Sequence, residues 1–194
     1  MALGLILIVV YFLVFTNKGR STIRLRRHKR YLKAAKRTHK GLRNKRPAHM
    51  FYSLRNLNPY VFEELILVAF SSVGCKVKRS PRYSGDGGID GKVKINGQWY
   101  FIQAKKYEGY INPSHVSEFA KICDLHKKNG FFIHTGKTGK ESYNRVGGRV
   151  KIISGNNMLR MFSITSEPRS WFDRGGLQRD KIEILLSLKK ERTP

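Results

Sequence analysis

Residues 88–105 read Gly88-Ile89-Asp90-Gly91-Lys92-Val93-Lys94-Ile95-Asn96-Gly97-Gln98-Trp99-Tyr100-Phe101-Ile102-Gln103-Ala104-Lys105. Asn96-Gly97 is the strongest short hairpin signal, because both positions of the tight turn need φ above zero. The flanks alternate apolar and polar, so two antiparallel strands meet at this turn. That register sets Asp90 opposite position 103. Period-two alternation puts Trp99, Phe101, Gln103 and Lys105 on one face of their strand, with Tyr100, Ile102 and Ala104 on the other. A carboxylate thus lies beside an amide and a lysine, two residues apart on one face. This arrangement suits a hard cation and a water. Oxygen ligands and one or two carboxylates hold magnesium, and a lysine can orient or deprotonate the attacking water. On spacing alone, surface residues on an ordinary hairpin are the simpler reading.

Helices and short strands surround the hairpin, an α/β pattern. Asn58-Pro59 supplies an N-cap and a first-turn proline. Phe62, Leu65, Ile66, Ala69 and Phe70 follow at helical spacing, and Gly74 closes the segment. Glu63 on this helix offers a second carboxylate. Cys75–Lys78 reads as a strand and 80–88 as a loop. Asn112-Pro113 starts a second helix running to about Lys128, with Gly130 as its stop. Strands follow at Phe131–His134 and Val150–Ile153, with a helix near 139–146 between them and another from Gly155 to Phe162. A terminal helix is expected at 182–188.

Phe62-Glu63-Glu64-Leu65, Gly85-Asp86-Gly87-Gly88-Ile89-Asp90-Gly91 and Phe101-Ile102-Gln103-Ala104-Lys105-Lys106-Tyr107 together resemble the Mrr-type restriction endonucleases of the PD-(D/E)XK nuclease superfamily. The resemblance covers roughly residues 58–162. It implies a restriction-endonuclease-like mixed β-sheet flanked by helices, and magnesium- or manganese-dependent hydrolysis of DNA phosphodiesters. Carried over, Asp90 is the metal ligand, Gln103 replaces the usual second acid, and Lys105 is the catalytic lysine. Glu63 is the helix carboxylate, with Glu64 taking its place if the helix phase differs by one, and the Ala104 carbonyl is a further ligand. Lys106, Tyr107, Arg82 and Lys92 are the candidate DNA contacts.

Charge divides the 194 residues. Lysine and arginine number 39 against 13 acids, net +26, which points to a polyanionic partner, nucleic acid or anionic lipid. The first acid is Glu63, and 14 basic residues fall between Lys18 and Arg46. Before them, residues 2–15 are uncharged and apolar. This run is short for a membrane span, yet with its neighbours it reaches about 25 Å. A secretory signal would carry its basic residues before the apolar run, not after it. The expectation is therefore a single-pass anchor at 1–17 in the cytoplasmic membrane, a basic juxtamembrane connector at 18–57, a nuclease domain at 58–165 facing the cytoplasm, and an extension at 166–194. The connector suits anionic lipid or a nonspecific hold on DNA. A homo-oligomer or an envelope protein complex is a further possible partner. Two cysteines, Cys75 and Cys123, exclude a disulfide scaffold and a four-cysteine zinc site. His115, His126 and His134 read as structural or surface residues, and Asp86 as a turn residue. The competing function is a membrane-tethered DNA-binding or assembly protein on an inactive nuclease fold.

Overall fold

The computed structural model describes residues 23, 25–43, 45–80, 88–162 and 171. The apolar run at 2–15, the loop residues Arg82 and Asp86, and the expected helix at 182–188 lie outside them. No helix among the described residues is long and apolar enough to cross a membrane.

Five strands form one mixed sheet in chain order: β1 (Lys76–Arg79), β2 (Gly91–Ile95), β3 (Gln98–Lys105), β4 (Gly130–His134) and β5 (Val150–Ile153). The first three pair antiparallel and the last three parallel. The hairpin register is the expected one, with Gly91 opposite Ile102 and Ile95 opposite Gln98. Its turn takes φ of 48° at Asn96 and 82° at Gly97, the left-handed values that Asn-Gly tolerates.

Helix α3 (Pro59–Ser72) begins where Asn58 accepts the Tyr60 N–H at 3.0 Å. It covers one sheet face with a core that includes Phe62, Leu65, Ile66, Phe70, Tyr100, Ile102 and Phe131. On the other face lies α4 (Pro113–Leu125), started by Asn112 accepting from Ser114 N–H. Val116, Phe119 and Cys123 pack there against Phe101 and Phe132. Two short helices follow among the described residues, α5 (Lys140–Asn144) and α6 (Gly155–Met161).

Gly130 does not stop α4. The helix ends at Leu125, Lys127 adopts φ 50°, and Lys128 N–H bonds back to the Cys123 carbonyl. Gly130 instead opens β4, where a Cβ would stand 2.7 Å from Cys123 Sγ and Phe119 Cζ.

The basic segment also differs from a solvated connector. Residues 25–42 form a helix, α1, and Pro47–Arg55 form α2. Ala35, Leu42, Met50 and Leu54 are buried in the α3-side core, with Tyr31 and Leu32 packed against it. The apolar residues scattered among the lysines and arginines recur on one helical face, so the charges point outward while that face joins the domain.

Candidate active site

The β2–β3 ladder ends at Gly91 and Ile102, and Asp90 takes over beyond it. Its backbone N–H donates to the Ile102 carbonyl at 2.9 Å, and its carboxylate Oδ2 accepts the Ala104 N–H at 2.6 Å. The aspartate side chain thereby replaces a backbone acceptor and is held against the strand that carries Gln103 and Lys105.

Gln103 is 8 % exposed, and its Oε1 is buried with no hydrogen-bond partner among the described residues. Such an acceptor costs about 1–3 kcal/mol and calls for an explanation. Its Nε2 lies 3.0 Å from where a Cβ would stand on Gly88, whose φ is 80°. The glycine thus lets the loop backbone close over the amide, and the signal for it was the Gly-Gly-Ile-Asp run. Lys105, half-buried, follows on the same face and pairs in register with His134 of β4.

Glu63 and Glu64 part company. Glu64 is buried, with Arg79 Nε at 2.8 Å and His28 Nδ1 at 3.2 Å. It ties α3 to β1 and α1 and is engaged in structure. Between Val61 and Phe70, Glu63 is the residue whose side chain is not buried. One turn on, Leu67 stands with its methyls 2.9 Å from the Cβ position of Gly91. Glu63 is therefore on the helical stripe that passes over the Asp90 end of the hairpin. It belongs to the helix on the opposite sheet face from Gln103 and Lys105.

Lys106 and Tyr107 turn inward. The Lys106 ammonium donates to the Arg55 carbonyl at 3.0 Å and to the Leu57 carbonyl, capping the end of α2. Tyr107 bonds through its hydroxyl to His115 and through its N–H to Thr135 Oγ1, and burial raises its pKa. Neither geometry suits the DNA contact expected of it. Lys92 is exposed on β2, 4.9 Å from the Phe101 ring centroid. Cys123 is a buried thiol pushed up to about 11 by burial, as a small core residue should be.

His134 is fully buried at the C-terminal end of β4. Its Nδ1 accepts from Gly136 N–H, its Nε2 faces Thr138 Oγ1, and burial lowers its pKa to about 4. The ring is neutral at physiological pH and structural, as read.

The described residues contain no group of three or more histidine, cysteine, aspartate or glutamate side chains able to hold a metal ion. The donors gathered here are of another kind: one carboxylate, one buried amide oxygen and a strand backbone. An oxygen-only set with an orphaned acceptor fits a hard divalent cation.

No curated protein and no solved structure matches the chain. The family model Mrr_cat, described as a restriction endonuclease, matches residues 54–162. Its limits take in α3, all five strands and α6, together with Asp90, Gln103 and Lys105. The chain belongs to this restriction endonuclease family, and its domain is that of a DNA nuclease.

Proposed function

We propose that the protein is a divalent-metal-dependent DNA endonuclease whose working residues are Asp90, Gln103 and Lys105, assisted by Glu63. One observation carries the reading: the Asp90 carboxylate is clasped to Ala104 N–H, between the residues Gln103, whose buried oxygen has no partner among the described residues, and Lys105. Asp90, Gln103 and the Ala104 carbonyl would hold magnesium or manganese, and Glu63, on the other sheet face, would have to reach the ion around the Asp90 end of the hairpin. Such an ion supplies Lewis-acid polarisation of the scissile phosphate. Asp90 keeps its position because Ala104 holds one oxygen. Gln103 offers a neutral oxygen that leaves the site less negative than two acids would. Lys105 orients the attacking water and offsets the charge that builds on the phosphate oxygens. The apolar run at 2–15 supports attachment of this nuclease to a membrane.

The test is cleavage of plasmid and linear DNA by the full chain with magnesium, manganese or EDTA. Cutting should require the metal and disappear in Lys105→Gln. DNA binding without cutting under any metal would instead favour the inactive, DNA-holding alternative. A high-salt wash of membranes tests the attachment: full-length protein should stay, and release by salt would assign it to charge alone.

A further inference from the structure

Among the described residues, α4 packs on β3, β4 and β5, and no element lies over Lys76, Lys78 and Lys92 on that face of β1 and β2. The register there sets two rows of like composition side by side across three strands: Lys76–Lys94–Trp99 and Lys78–Lys92–Phe101. Like charges directly opposite one another are destabilising in a sheet. Lysines on β1 guard an edge strand against pairing with other chains. That accounts for Lys76 and Lys78 but not for Lys92 and Lys94, which stand on an interior strand.

The lysines also surround a recess. A pocket of about 270 Å³ is lined by Lys78, Lys92, Trp99, Phe101, His126 and Lys128. No acid lines it, and none of these lysines, nor Lys76 or Lys94, forms a salt bridge among the described residues. Lys78 Nζ rests 5.2 Å from the Trp99 ring centroid, and Lys92 Nζ 4.9 Å from that of Phe101. The His126 ring meets Phe101 edge-on at 5.5 Å. In the free protein each ring thus has one of the protein's own cations near it, and a base stacking on Trp99 would move Lys78 from the ring to a phosphate.

We propose that this face binds an unpaired stretch of a DNA strand, one base stacking on Trp99 and the flanking phosphates lying on Lys76, Lys78, Lys92, Lys94 and Lys128. Basic grooves with an aromatic platform hold single strands, because every base has a stacking face and every linkage a charge. A duplex hides its base faces and would leave the recessed ring unused. A membrane surface would be met by protruding apolar groups, whereas Phe101 is 4 % exposed and lies beneath the lysines. Trp99 lies six residues from Lys105 on the same strand face, about 20 Å away. The site is therefore separate from the proposed catalytic one, and only the choice of DNA over another nucleic acid rests on the nuclease reading.

The protein contains two tryptophans, and Trp171 is fully buried, so quenching of tryptophan fluorescence reports on Trp99. The full chain is titrated in EDTA with a short oligothymidine, with a blunt duplex and with phosphatidylserine vesicles. Oligothymidine should quench, and the duplex should quench far less. Trp99→Leu should abolish the quench and weaken oligothymidine binding about tenfold. Joint replacement of Lys76, Lys78, Lys92 and Lys94 by glutamine should lower the slope of log affinity against log salt by about 3. Equal quenching by the duplex, quenching that survives Trp99→Leu, an unchanged salt slope, or engagement of vesicles alone would each overturn the proposal. Since EDTA removes any need for cleavage, a failed cleavage assay would count against the nuclease reading and leave this result standing.

Discussion

The Asp90 carboxylate accepts the Ala104 backbone N–H at 2.6 Å, so a side chain completes the pairing of β2 with β3. The same group is the charged centre of the proposed site. Stability and chemistry therefore share one carboxylate, and the choice of substitution decides which is measured. Asp90→Asn keeps an oxygen acceptor and should fold normally while losing cleavage. Asp90→Ala leaves the Ala104 N–H without its acceptor and should lose about 1–3 kcal/mol as well. Paired urea unfolding and cleavage measurements check this. Cleavage by Asp90→Asn at the wild-type rate would remove Asp90 from the site.

Gln103 should show the opposite balance. Its Oε1 is buried without a partner, so Gln103→Leu removes a desolvated acceptor and should raise stability by about 1 kcal/mol while cleavage is lost. Gln103→Glu adds a charge and should reach half-maximal rate at lower magnesium. A metal titration of the three proteins decides it. Wild-type cutting by Gln103→Leu would show that residue 103 is not a ligand.

Lys106 separates structure from DNA contact. With its ammonium on the Arg55 and Leu57 carbonyls, Lys106→Met should cost about 1–3 kcal/mol and leave the salt dependence of DNA binding unchanged. A slope reduced by about 1 at wild-type stability would show that the lysine reaches a phosphate instead.

His134 makes stability depend on pH. Its folded pKa, about 4, lies below the ordinary 6.5, so the unfolded chain binds the proton first. The contribution is complete above pH 6.5 and is lost as pH falls to about 4, by up to about 3 kcal/mol. Urea unfolding across that window should show the loss, and His134→Gln should flatten it. An unchanged slope in that variant would place the titration on another group.

Helix α1 should behave as part of the domain. Leu42 is 1 % exposed in the α3-side core, so Leu42→Ala should cost about 2–5 kcal/mol, measured by denaturation. A connector residue would change nothing.

The amino-acid sequence by itself determined what depends on neighbours along the chain. Asn96-Gly97 fixes a turn, the turn fixes the register, and the register brings Asp90 to Gln103. Asn58 and Asn112 start their helices through bonds two residues away. These are short-range dihedral and hydrogen-bond preferences, and they are readable without the fold. What required tertiary structure joins distant segments. Residues 25–42 carry so much charge that their sparse apolar face is legible only once α3 lies against it. Glu63 and Glu64 are adjacent in sequence, and only the positions of Arg79 and His28 set the structural acid apart. Lys106 reads as a surface cation until the end of α2 arrives beneath it. The lysine rows are split among three strands, so their common face exists only in the sheet. Burial and charge pairing are properties of the space between segments, and the order of residues in one segment does not contain them.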